Sequence, residues 1–142
     1  MHIFLVSDSK TGINFFPELE EKLSGQIADL ELDTIFVPFP EDIPAAVHAI
    51  EEEADFVFVF VLYEELDFKI QALLNKLIEI EMRSRVRIVK VIEEKEFGTL
   101  NEQRLEIEKE KLSKKWSELI INRLFKPGSF VPKEPEDNGF SL

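Results

Sequence analysis

The segment that most constrains the fold is residues 55–62, which read DFVFVFVL. Phe, Val and Leu occupy both alternating sides of this segment, so a strand made from it must be covered on both faces. Strands of this kind are typical of a parallel sheet that lies between two layers of helices. The apolar run, residues 56–63, is eight residues long, far short of the ~20 that a helix needs to span a bilayer.

The rest of the chain alternates between strand-like and helix-like patterns. Strands are predicted at residues 2–7, 32–37, 55–62 and 86–92, and helices at residues 16–26, 42–52, 64–83 and about 101–124. The apolar stripe of the third helix is Leu66, Ile70, Leu73, Leu77 and Ile80. The alternation predicts one three-layer α/β/α domain over residues 1–125, built on a four-stranded parallel sheet. Residues 126–142 are predicted to be a proline-rich, acidic tail, partly extended or disordered.

Composition narrows the functional classes. The net charge of −12 disfavours nucleic acid, because phosphate binding needs a basic face. The absence of cysteine excludes thiol catalysis and disulfides, and with only two, separated histidines no metal site is expected. No signal peptide or membrane segment is visible, so a soluble cytoplasmic protein is expected. High Glu and Lys with few Gln and Asn fits a thermophile.

The loop after the first strand, residues 7–14, reads SDSKTGIN. Hydroxyls, a lysine and a glycine between a strand and a helix could hold an anion at the helix N-terminus, as in the phosphate loop of flavodoxins. Alternatively, these residues are turn formers and caps. One glycine is too few for a Walker or dinucleotide motif.

The loop after the second strand is stiffened by prolines and carries an aromatic residue. Glu41 and Asp42 at the start of the second helix favour the helix dipole, which is a sufficient structural reason for them. Phe39 is either buried beneath a neighbouring element or presented to a planar ligand or a partner subunit.

Residues 37–46 read VPFPEDIPAA, and residues 124–127 read LFKP. In these segments the chain resembles archaeal riboflavin synthases, relatives of lumazine synthase, and the likeness covers roughly residues 1–130. The resemblance implies a lumazine-synthase-like sheet in the strand order 2-1-3-4 and a homopentamer. It also implies a pteridine-like ligand between adjacent subunits, where the family converts two ribityllumazines into riboflavin and a pyrimidine.

The same resemblance implies the site residues. Carried over by position, the ligand-binding candidates are Ser9, Thr11, Phe39, Glu41, Asp42, Tyr63, Glu64 and Phe97. Lys10, which has no counterpart in the family pattern, is a further candidate. Phe97, just after the fourth strand, would come from the neighbouring subunit.

Departures from the family pattern bear on activity. Phe39 stands where the family has a glycine, and Lys10 falls where it has an aromatic residue. The His-Glu pair expected early in the third helix is absent. We therefore expect a divergent member that keeps the fold and assembly, with weak or absent synthase activity.

Three alternatives remain. The chain could be an active riboflavin synthase with a site rebuilt around Phe39, Tyr63 and Lys10, because this chemistry depends largely on positioning two bound molecules. It could be a flavodoxin-like module that binds a flavin or nucleotide through residues 7–14. It could also be an interaction protein that uses its acidic helices and tail. The only small molecule expected is a ribityllumazine or flavin ligand; nucleic acid and membrane are not expected partners.

Overall fold

Four parallel strands form one sheet in the order β2-β1-β3-β4 in the computed structural model, which describes residues 1–125. The strands are β1 (His2–Asp8), β2 (Glu31–Val37), β3 (Phe56–Tyr63) and β4 (Arg87–Glu94). The helices are α1 (Phe16–Ser24), α2 (Ile43–Ile50), α3 (Phe68–Arg83) and α4 (Glu102–Phe125), and a 3-10 turn at Pro40–Asp42 precedes α2. The α/β class and the predicted strand order are confirmed. The predicted tail, residues 126–142, lies outside the described residues.

The strand β3 separates two different cores. Phe56, Phe58 and Phe60 belong to the core on one face, and the valines that alternate with them belong to the core on the other. The phenylalanine face packs against α1 and α4, where the ring of Phe15 meets that of Phe60 edge-on at 4.8 Å. The valine face is covered by α2 and α3. The alternation of Phe and Val along β3 thus divides the side chains of this strand between the two cores.

The order of the strands explains where the helices lie. The chain moves from β1 to β2 in one direction across the sheet, and from β3 to β4 in the other. Right-handed crossovers therefore place α1 on one face and α3 on the opposite face. Beyond the last strand, α4 returns to the face of α1.

The predicted start of the third helix is wrong by four residues. The helix α3 begins at Phe68 rather than at Glu64, because the carboxylate of Asp67 accepts hydrogen bonds from the N–H groups of Lys69 (3.0 Å) and Ile70 (3.1 Å). Leu66 therefore lies in the preceding loop and is 56% exposed, instead of belonging to the apolar stripe. The other four members of that stripe are buried.

Smaller differences affect the first two helices. The helix α1 ends at Ser24, two residues earlier than expected. The helix α2 covers Ile43–Ile50 because Pro40–Asp42 forms a separate 3-10 turn. Among residues 1–125, no helix combines the length and the apolar character that crossing a membrane requires.

Candidate functional site

The candidate site lies at the switch point of the sheet, between the carboxyl ends of β1 and β3. At this point the direction in which successive strands are added to the sheet reverses. The loops that follow these two strands lead to helices on opposite faces, which leaves a crevice between them. Ligands of open α/β sheets bind at such switch points. Most of the residues predicted for the site lie on the loops around this crevice.

The loop after β1 is held by a buried carboxylate. Asp8 is 2% exposed, and its side chain accepts hydrogen bonds from the hydroxyl of Thr11 (2.6 Å) and the N–H of Lys10 (2.9 Å). The Thr11 hydroxyl in turn accepts a hydrogen bond from the N–H of Leu62 (3.1 Å) at the end of β3. Thr11 therefore joins the two strands at the switch point, and its hydroxyl proton is already donated to Asp8.

Ser9 connects the same loop to the other neighbour of β1. Its N–H donates to the carbonyl of Val37 at 2.9 Å, and its hydroxyl lies 3.4 Å from that carbonyl. The loop after β1 is thus bonded on one side to β2 and on the other to β3. The N–H groups of Ser9 and Lys10 and the hydroxyl of Thr11 already donate to acceptors within the protein, so they are not free donors for a phosphate.

Phe39 is exposed at the tip of the loop after β2. Its side chain is 45% exposed, and the ammonium of Lys10 lies 4.8 Å from the centre of its ring. A cation at this distance over an aromatic face is a favourable contact. The carboxylate of Asp42 accepts the N–H of Phe39 at 3.2 Å and closes the turn. The structure therefore brings Lys10 and Phe39 together, and Asp42 stabilises the backbone of the turn.

A cavity of about 440 Å³ opens between these loops and the start of α3. Its size lies within the range of ~300–1,000 Å³ that is usual for small-molecule sites. Four of the predicted residues line it: Lys10, Glu41, Tyr63 and Glu64. The remaining lining residues are Pro40, Leu62, Glu65, Asp67, Lys69 and Ile70.

Charge is distributed unevenly around this cavity. The ammonium of Lys69 lies 3.8 Å from a carboxylate oxygen of Glu41, and Asp67 caps α3. Glu64 and Glu65 are exposed and, among the described residues, make no ion pair. The cavity therefore offers more carboxylates than cations, an environment suited to hydroxyl and amide donors and unfavourable for a phosphate.

Phe97 lies outside this cavity in the same chain. It lines a second cavity of about 370 Å³, together with Gly12, Lys95 and the loop that leads into α4. The ammonium of Lys95 lies 5.4 Å from the centre of the Phe97 ring. Glu64 lines both cavities and so marks their shared border. That Phe97 serves a neighbouring subunit stays a prediction.

Two lysines, Lys69 in the first cavity and Lys95 in the second, were not predicted from the sequence. Lys69 lines the first cavity from the first turn of α3, next to the helix cap at Asp67. Lys95 is the first residue after β4, and no motif distinguishes it. The late helix start had a detectable signal, an Asp directly before a helical pattern, whereas the position of Lys95 depends on tertiary structure.

The histidines lie at the amino-terminal ends of the strands, opposite the cavity. His2 begins β1, and His48 lies in the last turn of α2, where it contacts Glu51 and Arg83. Neither imidazole is available to the cavity as a general base. Within residues 1–125, no three His, Asp or Glu side chains are placed to hold a metal ion.

No model of a known protein family matches the sequence, and no curated protein matches it.

Proposed function

We propose that this chain is a divergent relative of the archaeal riboflavin synthases that binds a planar, polyhydroxylated heteroaromatic molecule such as 6,7-dimethyl-8-ribityllumazine. In this proposal the synthase activity is weak or absent, and several copies, five by the family resemblance, assemble. The observation that carries the proposal is the cavity of about 440 Å³, around which Lys10, Glu41, Tyr63 and Glu64 converge from three loops.

The chemistry of the lining fits such a ligand. The aromatic ring of Tyr63 can face a planar heterocycle, and the exposed carboxylates of Glu64 and Glu65 can accept hydrogen bonds from the hydroxyls of a ribityl chain. A cavity near the lower end of the usual size range favours one such molecule over the pair that dismutation needs.

The expected loss of activity is supported by the position of the histidines. Both lie at the amino-terminal ends of the strands, away from the cavity. No imidazole can therefore accept or deliver a proton in the cavity. An active synthase would have to gain its rate from positioning alone. The flavodoxin-like alternative is supported less well, because the buried carboxylate of Asp8 occupies the centre of the loop that would hold the phosphate.

The proposal is tested with the full-length protein and 6,7-dimethyl-8-ribityllumazine. We expect a rise in melting temperature that saturates with ligand concentration, because a ligand that binds only the folded state stabilises it. No riboflavin should form at an enzyme-like rate. The absence of any shift would contradict binding, and rapid riboflavin formation would contradict the loss of activity.

A matched pair of variants locates the binding. Glu64→Ala removes a carboxylate from the cavity and should weaken binding ~10-fold, the effect of losing a hydrogen bond to a charged group. Glu53→Ala removes an exposed carboxylate at the opposite edge of the sheet and should leave the affinity unchanged. Equal affinities in the two variants would show that the ligand binds elsewhere.

A further inference from the structure

Lys10 is a cation of the first cavity that has no carboxylate partner within residues 1–125. Two lysines line this cavity of about 440 Å³. The ammonium of Lys69 lies 3.8 Å from a carboxylate oxygen of Glu41, whereas the ammonium of Lys10 makes no ion pair or hydrogen bond in the described part of the chain. The three N–H donors of Lys10 are therefore available to an acceptor on a bound molecule.

The ring of Phe39 fixes the place of this ammonium. The centre of the ring lies 4.8 Å from the Lys10 nitrogen, which is a favourable contact between a cation and an aromatic face. The turn that carries the ring is stiff, because Pro38 and Pro40 flank Phe39 and the carboxylate of Asp42 accepts its N–H at 3.2 Å. Since this turn follows β2, Phe39 holds the ammonium on the β2 side of the cavity.

Glu64 lies on the opposite side of the same cavity. It follows β3, which is separated from β2 by β1, and it also lines the second cavity. Its exposed carboxylate makes no ion pair with any residue of the range 1–125. The first cavity thus has unoccupied hydrogen-bond donors on one side and an unoccupied acceptor on the other.

We infer that Lys10 and Glu64 bind the two ends of the ligand and so set its orientation. Lys10 donates a hydrogen bond to a ring carbonyl of the heterocycle, and Glu64 accepts one from a hydroxyl of the polyol chain. The carbonyl edge of the ring then lies toward Phe39, and the ribityl chain lies toward the loop after β3. The inference rests on the proposed function and deepens it, because it makes Lys10 the residue that selects heterocycles with a ring carbonyl.

The acidic lining of the cavity determines which acceptor can meet Lys10. The carboxylates of the lining are Glu41, Glu64, Glu65 and Asp67. They outnumber its two lysines, so the surrounding charge repels a phosphate or a carboxylate placed beside Lys10. A neutral carbonyl oxygen accepts the same hydrogen bond without this repulsion. Inorganic phosphate should therefore not compete with the ligand.

The test compares two ligands by calorimetric titration of the full-length protein. One is 6,7-dimethyl-8-ribityllumazine, and the other is 6,7,8-trimethyllumazine, which has the same ring carbonyls and a methyl group in place of the ribityl chain. Lys10→Met should weaken the binding of both ligands ~10-fold, because each loses a hydrogen bond to a charged group. Glu64→Ala should weaken only the binding of the ribityl compound, also ~10-fold, because the trimethyl compound has no polyol chain.

Two further variants show whether the loss comes from the ammonium itself. Lys10→Met should fold normally, since Lys10 is exposed and its backbone N–H stays bonded to Asp8. Lys10→Arg keeps the charge and the contact with the Phe39 ring and should recover most of the affinity. Lys76→Met, at an exposed position further along α3, is the matched control and should bind both ligands like the wild type.

The outcomes separate this inference from the proposed function. If the wild type binds neither ligand, the proposed function fails. If the wild type binds the ribityl compound, the inference alone is overturned by any of three results: unchanged affinities in Lys10→Met, a loss in Lys10→Met confined to the ribityl compound, or no binding of the trimethyl compound. Competition by inorganic phosphate would likewise overturn the assignment of a carbonyl to Lys10.

Discussion

Lys10 lies in the loop after β1 and Lys95 directly after β4, and each ammonium faces a phenylalanine ring and not a carboxylate. Within residues 1–125 neither lysine makes an ion pair, in a protein with twelve more acidic than basic side chains. Between them, Gly12 adopts a φ of +85°, and the Lys95 ammonium lies 2.8 Å from where a β-carbon would be placed. At this residue the positive φ is what favours glycine, because the Lys95 ammonium is the end of a flexible side chain that can shift aside.

Gly12→Ala should therefore lower the free energy of unfolding by about 1–2 kcal/mol, because an L-residue is strained at positive φ. The measurement is urea unfolding of the full chain. Gly98→Ala is the control, since a β-carbon there meets no atom within 4 Å, and it should be neutral or slightly stabilising. Equal effects at the two positions would contradict the role assigned to Gly12.

Side chains cover part of the β4 edge of the sheet. At β4, Glu81 accepts the N–H of Ile88 at 3.0 Å, and Lys90 donates to the Ile88 carbonyl at 3.1 Å. Glu81 and Lys90 also form a close ion pair with each other. At Ile88, side chains thus occupy the backbone donor and acceptor that another strand would use, which hinders pairing with another chain at this point of the edge.

Glu81→Ala should expose the edge of β4 and leave the Ile88 N–H without its acceptor. We expect a loss of about 1–2 kcal/mol in the free energy of unfolding and earlier onset of light scattering on heating. Glu79→Ala, on the same helix, removes an exposed carboxylate from a weak ion pair with Lys76 and should change neither. Unchanged scattering in Glu81→Ala would show that the edge is protected by something else.

The fold class of the molecule could be predicted from the local pattern of apolar residues in the sequence. The Phe and Val alternation of β3 predicted a strand covered on both faces, and the βα alternation predicted the α/β class, because both depend on period alone. The start of α3 was missed because heptad spacing was read without the cap at Asp67. The bridge from Thr11 to Leu62 spans 51 residues, so its hydrogen bond could not be read from any local motif. Four of the ten cavity residues were among the predicted candidates, and the family resemblance supplied three of them, Glu41, Tyr63 and Glu64. The positions of Lys69 in this cavity and of Lys95 in the second one depend on tertiary structure.

The central claim is that one cavity, at the switch point of the sheet, binds the heteroaromatic ligand. Amide chemical-shift mapping of the full-length protein during titration with 6,7-dimethyl-8-ribityllumazine tests it most directly. The account predicts that the largest changes fall on Lys10, Tyr63 and Glu64, which line the cavity. Chemical-shift changes concentrated at the amino-terminal ends of the strands, around Asp55 and Arg85, would contradict the claim. The absence of any shift change at saturating ligand would contradict it as well.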